Sequence, residues 1–255
     1  MTDSKFIFVC SPGRSGTKYF SEIFKNMTNI PSYHGGESNL RNIIDSGVFR
    51  DNSNLDIIKD RVDTIKNLAN NFGYFDSSQI FIHRLVNHII VDNYFEKLFV
   101  INLIRNPLEV AVSYENRNSA PSFIDDLWRL PLISNDRIIK INKKLTLFQE
   151  NLFDWIDTQM KFELYKKNFD KHIVFKFEDI NNMNKIKNLF DYFEIEFDEK
   201  KFQNLKDTFL KNENESSSKI TKRHITETNE LILYLQQLND YPKIIIDTYI
   251  LPLIS

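Results

Sequence analysis

The chain has 255 residues, 42% of them hydrophobic and 27% charged, and its 22 Phe supply enough core material to exclude disorder over most of its length. Its 33 Lys and Arg stand against 35 Asp and Glu, so the whole chain is not built to bind nucleic acid and any anion site must be local. One cysteine, Cys10, excludes internal disulfides and a cysteine-based zinc site. The first residues carry no basic segment leading into a long apolar one, so no signal peptide is expected. Apolar runs such as Leu98 to Ile104 fall short of the roughly 20 residues that span a bilayer. A soluble, cytoplasmic protein without a transmembrane segment is expected.

In chain order, Lys5 to Cys10 reads as a strand buried on both faces. A glycine-containing turn follows, then a helix from Lys18 to Met27 with Phe20, Ile23, Phe24 and Met27 on one side. Leu55 to Asn70 reads as a helix broken by Gly73, and Tyr74-Phe75-Asp76 begins a short strand. A helix is predicted from about His83 to Phe95, and a second strongly buried strand from Leu98 to Ile104. Asn106-Pro107 marks the next helix start. After a loop with Pro121, Phe123, Trp128 and Pro131, Ile138 to Lys167 is helical in pattern, with a break expected near Leu152. His172 to Phe177 is a third apolar strand, and Glu178 and Asp179 are expected to cap the helix after it. Asn212 to Ser218 is turn-like, and a basic stretch with Lys219, Lys222 and Arg223 precedes the closing helices. Strands alternating with helices predict one α/β domain over residues 1–255, a central parallel sheet flanked by helices.

The loop Ser11-Pro12-Gly13-Arg14-Ser15-Gly16-Thr17 lies between a buried strand and a helix, where backbone N–H groups and the helix dipole make an anion site. It lacks the Gly-Lys-Ser/Thr of a Walker A loop, and its cation comes earlier, as Arg14. The strand from Leu98 to Ile104 runs into Arg105, where kinase chemistry would want a magnesium-binding acid. Arg105 offers a planar fork for phosphate, and Ser113, about two turns along the helix, offers a hydroxyl.

Together the two motifs resemble the sulfotransferases that use 3′-phosphoadenosine 5′-phosphosulfate, which have a P-loop-like fold. In that family a Pro-x-[Arg/Lys]-Ser-Gly-Thr core binds the 5′-phosphosulfate, and it stands here as Pro12 to Thr17. A second strand ending in Arg-x-Pro with a later Ser binds the 3′-phosphate, here Arg105-Asn106-Pro107 and Ser113. The segments IVFKFEDI around Glu178-Asp179 and YFDSS at Tyr74 to Ser78 are similar to lesser family features.

The resemblance implies transfer of a sulfuryl group to an acceptor hydroxyl, of a carbohydrate or small molecule, without a metal. It implies that Pro12, Gly13, Arg14, Ser15, Gly16, Thr17, Lys18, Arg105 and Ser113 hold the nucleotide. Lys222 and Arg223 stand, in chain order, where the family has a late cofactor-contacting loop. Glu37 is the first choice for general base and His34 the second, since both follow the first helix. Asp76 and His83 are candidates for orienting substrate, and Trp128 for walling the acceptor pocket. Two other readings stay open: a P-loop kinase of a nucleoside or small molecule, and a non-catalytic nucleotide-binding protein.

Overall fold

A computed structural model describes residues 4–34, 55–79, 81–91, 93, 95, 97–119, 138–210 and 219–254. Glu37, Trp128, the rest of the proline-containing loop and the Asn212 to Ser218 turn lie outside the described residues. The chain packs as two compact units, one from Met1–Ile104 with Tyr165–Ser216, the other from Arg105–Leu164 with Ser217–Ser255.

The first unit is α/β. Strands β1 (Lys5–Cys10), β2 (Ser32–Tyr33), β3 (Gly73–Asp76), β4 (Leu98–Ile104) and β5 (Lys171–Lys176) form one five-stranded sheet in the order β2-β3-β1-β4-β5. Every pairing is parallel. β1 is central because both its faces are apolar. Ile7 and Val9 join Phe99, Ile101 and Leu103 on one face, under helix α1 (Thr17–Met27) through Phe20, Ile23 and Phe24. That core also takes Ile186, Leu189 and Phe190 of a helix at Met183–Tyr192 and Phe202 of one at Glu199–Leu205. Phe6 and Phe8 point to the opposite face, where Phe8 stacks on Phe81 at 4.5 Å and Phe6 on Phe95 at 4.1 Å. Alternating side chains of one strand thus feed two cores, as a sheet covered on both faces requires.

Parallel strands need long crossovers, and the crossover from β2 to β3 carries helix α2 (Leu55–Leu68), with Val62 and Ile65 buried. The helix predicted from His83 to Phe95 is shorter. A π-helical turn at Phe81–Leu85 leads into α3 (Val86–Val91). β5 is an edge strand, not a fully buried one; Val174 is 45% exposed. Glu178 and Asp179 do not cap the following helix. They form a short 3-10 turn, and Asn182 caps the helix at Met183–Tyr192 by accepting from the Lys185 N–H at 3.3 Å.

Gly73 fixes the start of β3. Its φ is +123°, and a Cβ there would run into the Lys5 carbonyl of the paired strand. Backbone cannot step aside as a side-chain tip can. Gly73→Ala is expected to lower stability by about 2 kcal/mol or more. The check is urea unfolding, with the midpoint falling and the slope unchanged.

The second unit is helical: α4 (Pro107–Glu115), α5 (Leu147–Tyr165, its last residue in the first unit), α8 (Lys222–Leu235), α9 (Lys243–Tyr249) and α10 (Leu251–Ile254). The helices at Met183–Tyr192 and Glu199–Leu205, in the first unit, are α6 and α7. α5 begins at Leu147, later than the Ile138 expected, and continues through Leu152 without a break. The reason is local. The Thr146 hydroxyl accepts from the Gln149 N–H at 3.2 Å, which starts the helix there. Asp157, fully buried, accepts from the Ile138 N–H at 2.9 Å and pairs with Lys161 at 2.9 Å. Trp155 packs edge-on against Tyr249.

Candidate functional site

Sheet order points to a candidate site before any side chain does. The chain leaves β1 for β2 on one side of the sheet and leaves β4 for β5 on the other. Adjacent strands whose connections part in this way open a crevice at their carboxyl ends, where open α/β sheets take ligands. The candidate loop Ser11 to Gly16 follows β1, His34 follows β2, and Asp76 ends β3. Arg105 is the residue after β4 and opens the second unit.

The loop holds its shape through its own side chains. The Gly13 N–H donates to Ser11 Oγ at 3.1 Å, and the Ser15 hydroxyl donates to the Gly13 carbonyl at 3.1 Å. Ser11 and Ser15 are fully buried, so these hydroxyls shape the loop from within. Gly13, Arg14 and Gly16 all have positive φ, of 86°, 55° and 85°. At Gly16 a left-handed residue runs directly into the right-handed start of a helix, and such a junction turns successive backbone N–H groups toward a common point, the concavity that takes anions. Gly16 is the N-cap of α1, and the helix's first N–H groups receive no acceptor from a side chain of the cap. Asn106, Asn182 and Asp198 do supply one to α4, α6 and α7. Thr17 is buried and Lys18 exposed.

Phe177, after β5, packs on this loop. A Cβ at Gly16 would strike its ring, and the ring meets Tyr19 edge-on at 6.1 Å between centroids. Sequence reasoning missed Phe177, because only the pairing of β4 with β5 brings it here. An aromatic residue closing a predicted strand was the available signal.

At the ends of β2 and β3, Tyr33 pairs with Asp76 in register and its ring stacks on Tyr74. Asp76 is 2% exposed and accepts from the Tyr74 hydroxyl at 3.1 Å and the Ser78 N–H at 2.7 Å. His34 Nδ1 lies 3.0 Å from Ser77 Oγ. The structure therefore brings His34 and Asp76 to neighbouring strand ends, while His83 sits in the π-helical turn whose Phe81 stacks on Phe8. β1 has two neighbours, β3 and β4. β4 runs into Arg105, but β3 ends in Asp76. Among the described residues, no group of three or more His, Cys, Asp or Glu could hold a metal ion.

In the second unit, Asn106 caps α4, accepting from the Leu108 and Glu109 N–H groups, with Pro107 in the first turn. Arg105 directs Nε and Nη2 to Glu109 Oε2 at 3.3 and 3.1 Å, and Ser113 lies on the same helix. Arg223 is engaged by two carboxylates: Nη2 reaches Glu115 at 2.7 Å and Nη1 reaches Glu227 at 2.9 Å. Its charge is thereby committed to joining α4 and α8. Lys222 is exposed in the first turn of α8.

No family model matches the chain, and no curated protein matches it either. Among the described residues, no helix is long and apolar enough to cross a membrane.

The Glu115 cluster yields a pH dependence. The Thr221 N–H donates to His224 Nδ1 at 3.0 Å, and His224 Nε2 lies 3.0 Å from Glu115 Oε2 and 2.8 Å from Arg223 Nη2. Burial works to raise the Glu115 carboxyl, but hydrogen bonds and charge from Arg223 and His224 outweigh it and hold the group below its ordinary 4.5. A depressed carboxyl stabilises the fold above its unfolded value and loses that contribution as pH falls through the folded one. Wild type should therefore melt above Glu115→Gln near neutral pH, with the gap closing below about pH 4.5. A melting series across pH checks this; a gap independent of pH contradicts it.

Proposed function

We propose that the protein is a sulfotransferase of the P-loop-like kind that uses 3′-phosphoadenosine 5′-phosphosulfate. The observation carrying this reading is the loop after β1: left-handed Gly13 and Arg14, a glycine cap on α1, and a cation where a Walker loop has none. The sheet order and Arg105 directly after β4 support it. In this reading backbone N–H groups and the Arg14 guanidinium take one phosphate, and Arg105 with Ser113 takes another.

In this reading the acceptor oxygen forms its bond to sulfur as the bond from sulfur to the 5′-phosphate oxygen breaks. Adenosine 3′,5′-bisphosphate leaves, and the acceptor's proton passes to a base. Arg14 and the amides from Ser15 to Lys18 neutralise charge developing on the departing phosphate. His34, partly buried at the end of β2, is the candidate base within the described residues; Glu37 is the other. The acceptor is a hydroxyl-bearing carbohydrate or small molecule.

One observation favours a second reading, phosphoryl transfer by a kinase: Asp76 ends β3, beside β1. A single experiment separates the two. Radiolabelled sulfate transfer from the phosphosulfate donor, run over a panel of hydroxyl acceptors in excess chelator, should proceed at a rate similar to that without chelator. Transfer of phosphate from ATP that requires Mg²⁺ would establish the kinase.

A further inference from the structure

A neutral imidazole has one donor and one acceptor nitrogen, and its neighbours decide which is which. At His34 the neighbour is Ser77, fully buried, with Oγ 3.0 Å from His34 Nδ1 and 3.4 Å from the Tyr33 carbonyl. That carbonyl also accepts from the Ser77 N–H at 3.1 Å, so it is an acceptor held in place by the backbone. Ser77 has one hydroxyl proton to give. If it goes to His34 Nδ1, the hydroxyl oxygen faces the Tyr33 carbonyl oxygen with no proton between them. If it goes to the carbonyl, Ser77 Oγ accepts from Nδ1–H and both contacts are hydrogen bonds. The second arrangement satisfies both the Ser77 hydroxyl and the Tyr33 carbonyl.

We infer that Ser77 is a positioning residue that fixes the proton of His34 on Nδ1 and leaves Nε2 as the ring's proton acceptor. A relay from Nδ1–H through Ser77 to the Tyr33 carbonyl does for His34 what a carboxylate does in other proton-transferring sites. The tautomer stands on geometry alone; its use in transfer rests on the proposed function.

The test reads the tautomer first. In ¹⁵N-histidine-labelled protein, with the His34 signals assigned by their loss in His34→Gln, long-range nitrogen–proton correlations should show Nδ1 protonated and Nε2 bare. Ser77→Ala should move the ring toward the other tautomer, and Ser77→Thr should restore it. Protonated Nε2 in the neutral wild-type ring, or a tautomer unmoved by Ser77→Ala, overturns the inference. In transfer assays Ser77→Ala should lower kcat about tenfold with the donor's KM unchanged, and Ser77→Thr should recover it. A fixed Nδ1 proton in a protein that transfers no sulfuryl group would refute the proposed function while leaving the tautomer intact.

Discussion

Arg14→Gly is expected to leave the protein at least as stable as wild type while lowering sulfuryl transfer by about 10²-fold or more. The two halves of this expectation have separate causes. Arg14 holds φ at 55°, a conformation that disfavours a side chain by about 1 kcal/mol and suits glycine. Removing the side chain relieves that strain, so the melting temperature should hold or rise. The guanidinium, however, supplies the loop's fixed positive charge, and a preorganised cation on a developing anion contributes about 3 kcal/mol to the barrier. Arg14→Lys should fall between, keeping the charge without the planar fork. Thermal melts and single-turnover transfer are read on the same samples. A variant that is stabilised and still fully active would remove Arg14 from the chemistry.

Arg105→Ala is expected to abolish most of the preference for adenosine 3′,5′-bisphosphate over AMP in calorimetry. A desolvated Arg–phosphate contact is worth about 1.5–3 kcal/mol, or roughly 10- to 150-fold in affinity. The ion pair of Arg105 with Glu109 supplies the control. A partly exposed pair four residues apart contributes about 0.3–0.5 kcal/mol, so Glu109→Gln should barely change stability. It should also keep the preference for the bisphosphate. Equal affinity of wild type for the two nucleotides would sink the assignment of Arg105 and Ser113 to a second phosphate.

How far the sequence reveals this molecule depends on whether a feature is local. β1 and β4 appear at their predicted bounds because unbroken apolar runs between polar residues have one economical use, a strand covered on both faces. The Asn106-Pro107 start holds because cap and proline act within one turn. The failures are non-local. His172 to Phe177 is as apolar in sequence as a buried strand, but its place at the sheet's edge comes from having a single partner among the described residues, β4. Asp76 escaped weighing as a neighbour of the loop because the pairing of Phe8 with Asp76 joins segments with no local link. Ser77 shows the same limit. A serine in a polar turn signals nothing until His34 lies opposite it. The anion loop was legible because its glycines, arginine and helix start are consecutive.

The sheet order also governs how the chain must be made. β1 emerges from the ribosome before the strands it pairs with, and those partners are distant: Phe6 pairs with Leu98 and Lys5 with Gly73. β4 in turn pairs with β5, which begins only at Lys171. Such long-range parallel pairing places folding among the slower topologies, where loop closure is completed before contacts repay it. Meanwhile Phe6 to Cys10 is an uncharged, β-prone segment exposed on the nascent chain, with Lys5 as its flanking charge. The strand that ends at the centre of the sheet thus spends much of synthesis without its partners, with Lys5 as the charge beside it.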